Sequence, residues 1–481
     1  MADSAYIPAG RSGAAQSRNR IYGPILAILA ALPAVLWLWG FTVDDALITA
    51  RVAAHLSQGL GSRFNAHGQP VDAVTPLGYA HLLALLGAGD GDTLAKFLVA
   101  KWVGLAAWLL AAGSLGLQMA GVGQRARRFT PLLIVGVSAP LAAWSVSGME
   151  TGVVTLLVTL GLSSGALSAL SLGLAAAWRP ELAPFALVLV ALRAREEGTV
   201  GARLALQIAF AVLPGVSIAL LRWAWFGRAV PLSFYAKPSD FAHGLRYALG
   251  GLAFSGLPCL LVAKPSTWAR CPRPARALLA ALAAHFFALV LCGGDWMALY
   301  RLVVPVLPCV ALAAAYLADQ ARPVPAVARL LFASASALLL AIGLGPDARH
   351  VGADRARLIA TARPVLAHDE RIAALDVGWL GAASDAEVID LAGVTDPEVA
   401  FFQGGHTSKR IPSAWLFSRR PTAIVLLLAR GAGLEVPFEQ SAFARNVEQR
   451  VAQLVAAEFR VRTTLDLAGQ TYVVLEPAPT P

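Results

Sequence analysis

Residues 21–51, IYGPILAILAALPAVLWLWGFTVDDALITAR, join an apolar run to two adjacent aspartates, and the reading of the whole chain turns on that junction. The run that begins at Ile21 is about 20 residues long, enough to cross roughly 30 Å of hydrocarbon. Arg11, Arg18 and Arg20 precede it, but no small-residue cleavage site does, so it reads as a retained first span rather than a signal peptide. Asp44 and Asp45 then stand where that span leaves the membrane.

The rest of the chain fits this start. Of 481 residues, 57% are hydrophobic and only 14% charged, against roughly 25% charged in a soluble domain. The mean hydropathy is +0.63. This is the composition of a polytopic α-helical membrane protein embedded in a lipid bilayer. The net charge of +10 falls in short clusters between apolar runs: QRARR at 124–128, RAR at 193–195, KPSTWARCPRPAR at 264–276 and DQARPVPAVAR at 319–329. A nucleic-acid binder gathers its charge on one soluble face, so nucleic acid is excluded as a partner. Basic loops between spans mark the cytoplasmic side. Cys259, Cys271, Cys292 and Cys309 lie in or beside apolar segments without metal-ligand spacing; neither a disulfide framework nor a zinc or iron–sulfur site is expected. No acidic run has calcium-loop spacing, so no cofactor and no obligatory metal is expected.

Further apolar runs predict spans at about 94–119, 130–147, 151–164, 166–178, 182–195, 201–222, 245–263, 277–292, 302–318 and 326–345, giving about 10–11 in all. Alternation from a cytoplasmic N-terminus places every basic cluster inside. It places the segment 44–92, and everything after 346, outside. Within 44–92, Asp44, Arg51, His55 and Gln58 recur on one helical face, opposite Ala46, Leu47, Ala50 and Ala54. That pattern suits a helix lying on the membrane surface. TPLGYAHLLALLGAG (75–89) is too short to span and reads as a juxtamembrane or re-entrant helix. From 347 to 481 the apolar runs shorten. RIAALDVGWLG, EVIDLAG, TAIVLLLA, FRVRTTLDL and QTYVVLEP read as strands, and SAFARNVEQRVAQLVAAEF as a helix, giving a C-terminal soluble α/β domain. The chain thus divides into a membrane domain, 1–346, and an extracytoplasmic domain, 347–481.

The outward segments hold acids and bases at the membrane edge: Asp44, Asp45, Glu150, Arg179, Glu181, Lys237, Asp295 and Arg301. Ionisable groups at membrane depth are functional candidates by default, because burying them in lipid costs several kcal/mol. Neighbouring residues on a helix point about 100° apart, so Asp44 and Asp45 cannot share one role. One carboxylate suits a general base and the other a positioning group. On spacing alone, a hydrated helix end explains the pair equally well.

FTVDDALITARVAAHLSQGLGSRFN with VDAVTPLGY resembles the opening of bacterial GT-C glycosyltransferases that use polyprenyl-phosphate sugars, in particular the mycobacterial arabinofuranosyltransferase AftB family. SGMET, RPEL, FGRAVPLSFYAKPS, GGDWMALYRLVVPVLP and VIDLAGVTDPEVA follow in the family's order, over residues 41 to about 410. SFYAK lacks the family's usual Asn, and RPEL its Gly. The resemblance implies a GT-C-like membrane domain of a multi-pass bacterial inner-membrane protein. Such a protein passes a sugar, D-arabinofuranose in the nearest subgroup, from a polyprenyl-phosphate donor to a glycan or glycoprotein acceptor on the periplasmic side. An acid of the first outer loop serves as base in that family. Here the role falls on Asp44 or Asp45, with Asp44 preferred because its face also holds Arg51 and His55, and Glu150 is the second acidic candidate. Lys237, Arg179 and Arg301 suit the leaving phosphate, with Arg51, His55, Glu181 and Asp295 as further donor-side groups. Trp296 and Tyr300 suit stacking on a sugar, and His406 and Lys409 fall on the acceptor side. Two other readings compete. A lipid-linked-sugar flippase should show paired repeats with broken helices at midplane, and none is visible. A non-catalytic envelope assembly subunit would not require acids and bases on so many separate spans.

Overall fold

The computed structural model describes residues 13–87, 91–122, 126–261, 271–320 and 323–479. Arg11 and parts of the basic loops, at 124–125, 264–270 and 321–322, lie outside the described residues. The first apolar run forms α1 (Gly13–Trp37) and the aspartate pair opens α2 (Asp44–Ser57). Two carboxylates in the first turn complement the positive end of the helix dipole. After α3 (Tyr79–Leu86), the bundle continues with α4 (Thr93–Ala120), α5 (Leu132–Val137), α6 (Ala139–Ser145), α7 (Thr151–Leu160), α8 (Ala166–Trp178) and α9 (Ala183–Glu196). It is completed by α10 (Ala202–Phe226), α11 (Leu232–Ala236), α12 (Phe241–Phe254), α13 (Leu257–Leu261), α14 (Arg273–Leu291), α15 (Leu307–Gln320) and α16 (Pro323–Ala348).

Among the described residues, five helical segments are long and apolar enough to cross a membrane: Arg20–Trp37, Thr93–Ala120, Ala202–Phe226, Arg273–Leu291 and Val324–Val365. Other expected spans are shorter or broken. The run 130–147 divides at Ser138, which takes an extended backbone and caps α6 by accepting from the Leu141 N–H. Pro140 in the first turn of α6 lacks the N–H that continuing the preceding helix would need. The run 245–263 likewise divides, into α12 and α13 at Ser255–Gly256.

The C-terminal region starts with α17 (Val351–Val365) and forms one five-stranded sheet: β1 (Arg371–Ala374), β2 (Glu387–Asp390), β3 (Ala423–Leu427), β4 (Phe459–Leu467) and β5 (Gln470–Pro477). The strand order is β2-β1-β3-β5-β4; β1 runs parallel to both neighbours, and β3-β5 and β5-β4 are antiparallel. Four further helices lie among the strands: α18 (Val377–Ala383), α19 (Pro397–Ala400), α20 (Ser413–Ser418) and α21 (Asn446–Val455). The DVGWLG portion expected to extend the first strand is instead the start of α18.

Both faces of the sheet are covered. Ile372, Ala374, Val388, Val425 and Val474 join one core with Leu47, Ile48 and Val52 of α2 and Leu83 of α3. The alternating residues Ala373, Ile389, Ile424, Val473 and Leu475 form the other core with Val447 and Val451 of α21. The period of two along each strand distributes the two sets. The expectation that α2 lies on the membrane surface is therefore corrected: every residue from Ala46 to His55 is buried, because the sheet and α18 close over the face that amphipathicity marked as exposed.

Candidate functional site

The bundle and the C-terminal region enclose a cavity of about 440 Å³. Asp45 and Thr49 of α2 enter it one helical turn apart, and Glu150 enters from the turn just before α7. Arg179 and Glu181 come from the short RPEL turn between α8 and α9, and Lys237 from the residue after α11. Asp295, Trp296 and Arg301 come from the loop between α14 and α15. Eight of the expected site residues are thus gathered from five places in the chain.

The glycines of GGDW explain how that loop approaches so closely. Gly293 and Gly294 both have positive φ, and a Cβ on Gly294 would lie 2.6 Å from the Tyr247 Cβ. The Tyr247 hydroxyl in turn accepts from the Leu302 N–H at 2.9 Å. His285, fully buried on α14, places its Nδ1 3.2 Å from the Glu181 carbonyl and its Nε2 2.9 Å from the Leu302 carbonyl. It therefore ties the RPEL turn to the Arg301 loop. Neither residue was expected at the site; a buried His on an apolar face carries no sequence signal that distinguishes it from ordinary core.

The charges inside the cavity are paired. Arg179 bonds Glu150 and lies 3.8 Å from Glu181, while Arg301 Nε is 2.7 Å from Asp295 Oδ2. Burial alone would raise the Asp295 carboxyl, but Arg301, Lys237 and Arg179 outweigh it and hold the group below the usual carboxylate range. Burial opposes the charge on Arg301, yet Asp295, Glu150 and Asp45 raise its pKa. The loosest pair is Lys237 Nζ to Asp45 Oδ2 at 3.8 Å, with side chains 29% and 33% exposed, too long for a hydrogen bond. Phe234 and Trp296 line the cavity and are 66% and 65% exposed, giving it an apolar rim.

The other expected residues lie elsewhere. Asp44 turns away from the cavity. It accepts from the Gly378 and Trp379 N–H groups at 2.7 and 2.9 Å and from Arg355 at 2.7 Å, so it holds the start of α18. Burial pushes its carboxyl up to about 6, with Arg355 and the two N–H groups opposing. Behind it, Asp376 takes a bidentate bond from Arg445, at 2.8 and 2.9 Å, and the Tyr472 hydroxyl at 2.7 Å. A helix beginning at Asp44 thus sends Asp45, not the preferred Asp44, into the cavity. Arg51, also on the opposite side of α2, donates to the carbonyls of Phe64, Gly381, Ser384 and Ala386 and has no fork left for a phosphate. His55 contacts the Arg63 carbonyl. Lys409 is buried and donates to the Ala400 and Phe402 carbonyls, and Tyr300 packs against Tyr247 and Phe254. His406 stays near the site, 6.5 Å from the Trp296 ring. Burial, aided by Lys237, pushes its pKa down to about 4. Among the described residues, no three His, Cys, Asp or Glu side chains converge as a metal site would require.

Residues 349–475 match the model of a family described only as a domain of unknown function, DUF8728. No curated protein and no solved structure matches the chain.

Proposed function

We propose that this chain is a membrane glycosyltransferase. It transfers a sugar, D-arabinofuranose in the reading its motifs favour, from a polyprenyl-phosphate donor to a cell-envelope glycan or glycoprotein. The observation that carries the proposal is the lining of the 440 Å³ cavity: a loosely held carboxylate, Asp45, facing a cation, Lys237, with Arg179 and Arg301 in the same space. The exposed apolar rim of Phe234 and Trp296 suits the approach of a prenyl chain from lipid. On this reading the donor phosphate engages Lys237 and draws it from Asp45. Asp45 then accepts the proton of the acceptor hydroxyl as that oxygen bonds to the anomeric carbon. The bond from that carbon to the phosphate oxygen breaks, and its electron pair stays on the phosphate, facing Lys237 and the arginines.

The test uses the purified full chain with radiolabelled polyprenyl-phosphoryl arabinofuranose and a short arabinan acceptor, beside Asp45→Asn and Asp44→Asn. Wild type should transfer label, and Asp45→Asn should lose about 100-fold or more in rate while remaining folded, the range of a lost general base. Transfer unchanged in Asp45→Asn would remove it from the chemistry. A wild type inert toward this and every other lipid-phosphate sugar would remove the enzyme reading altogether.

A further inference from the structure

A second cavity lies at the far end of the bundle. Its volume is about 470 Å³, between the end of α9 and the start of α14. Helix α9 begins beside the RPEL turn and runs for 14 residues, so about 1.5 Å per residue separates the two cavities by roughly 20 Å. Arg195 of α9 and Arg273 and Arg276 of α14 line it, and Glu196 is the one acid in its lining. All three arginines are exposed, no side-chain hydrogen bond or salt bridge within 4 Å engages their guanidinium groups among the described residues, and Glu196 attracts Arg273 and Arg276 only at longer range. Three guanidinium groups against one carboxylate in one concave space make a site for a tetrahedral oxyanion, which Arg binds bidentately.

The rest of the surface decides what carries the anion. The cavity floor is Leu192, Ala277 and Ala280. From there the exposed face of α14 continues through Ala280, Ala283, Phe287 and Leu291 at three- and four-residue spacing. On α9 the exposed residues leading to Arg195 are Leu187 and Ala191. Both helices therefore present a cationic end followed by an apolar stripe, and the alanines leave the stripe shallow. A free phosphate would use only the cationic end. An anionic phospholipid uses both, with the headgroup phosphate among the arginines and an acyl chain along the alanines.

We infer that the α9–α14 cleft is a binding site for an anionic phospholipid of the surrounding bilayer. The inference requires only that these helices sit in lipid, and it stands apart from the proposed transfer chemistry. The experiment is native mass spectrometry of the full chain released from nanodiscs of phosphatidylcholine doped with phosphatidylglycerol, alongside titration with inorganic phosphate. Wild type should retain phosphatidylglycerol in preference to phosphatidylcholine. The R195Q/R273Q/R276Q variant should weaken that preference roughly 100-fold, near fivefold for each basic group. Because these side chains are exposed and make no side-chain hydrogen bond among the described residues, the variant should keep its fold, which circular dichroism checks. Ala280→Trp, which fills the stripe and leaves every charge, should also weaken phosphatidylglycerol binding. Equal retention of both lipids would overturn the inference. So would inorganic phosphate displacing the lipid while Ala280→Trp has no effect, since the site would then belong to a soluble anion.

Discussion

The Asp44 carboxylate is fully engaged by two backbone N–H groups and Arg355, whereas Asp45 keeps a third of its side chain exposed toward Lys237. One residue of helical advance separates these environments, and a shift of one residue in the helix start would exchange them. That is why the pair stands out in the sequence while which of the two faces the cavity does not. Arg51 misled for a related reason: its carbonyl partners at Gly381, Ser384 and Ala386 lie more than 300 positions away, and local periodicity carries no trace of them. At the same scale, His406 yields a prediction. Its pKa falls from 6.5 to about 4 on folding, so the unfolded chain binds more protons between those values. Its contribution to stability is present above pH 6.5 and is lost as pH falls through about 4. His406→Gln lacks this linkage, so the stability of wild type relative to the variant should decline from pH 6.5 to 4, read as the difference between their thermal midpoints. A difference that is flat across that window would show that the imidazole does not titrate as burial requires.

At the scale of elements, the fit of α18 against α2 depends on the absence of a side chain. A Cβ on Gly378 would lie 2.1 Å from the Asp44 carbonyl oxygen and 2.7 Å from its Oδ2. Gly378→Ala should therefore destabilise the chain by about 1–3 kcal/mol, the ordinary cost of overpacking. It should also reduce any transfer activity, through displacement of α2, while Gly433→Ala, in open space, should do neither. Denaturation in detergent measures both variants. The elements themselves were unevenly legible. A long apolar stretch such as α4 declares its length, and the aliphatic runs mark where the five strands lie, though the first overran into α18. The division of 130–147 at Ser138 rests on a single cap and Pro140 within an unbroken apolar stretch, and hydropathy averages over both.

Across the whole molecule, the C-terminal sheet is covered on one face by α21 and on the other by α17 and α18, whose core α2 and α3 complete. Its strands could be found by composition, but the order β2-β1-β3-β5-β4 and the burial of one face against the bundle are long-range facts. The sheet and the helical region share a core, so neither should behave as a complete unit. Deleting residues 349–475 should raise hydrogen exchange across Asp44–Ser57 by about tenfold or more, because that helix loses both its apolar cover and the Asp44 bonds. Exchange unchanged by the deletion would show that α2 is held by the bundle alone.

The shared helix also has a consequence for the order of events in the cell. During synthesis the helical segments that surround the cavity leave the ribosome first, and the strands that fix α2 follow. Until those strands pair, α2 lacks the bonds from Gly378 and Trp379 to Asp44 that fix its start beside Asp45. On the proposed transfer reading, a nascent or prematurely terminated chain would therefore carry every cavity-lining helix and still lack the full hold on the helix that bears its base. If the transfer reading holds, completion of the sheet thereby sets when the site can first act.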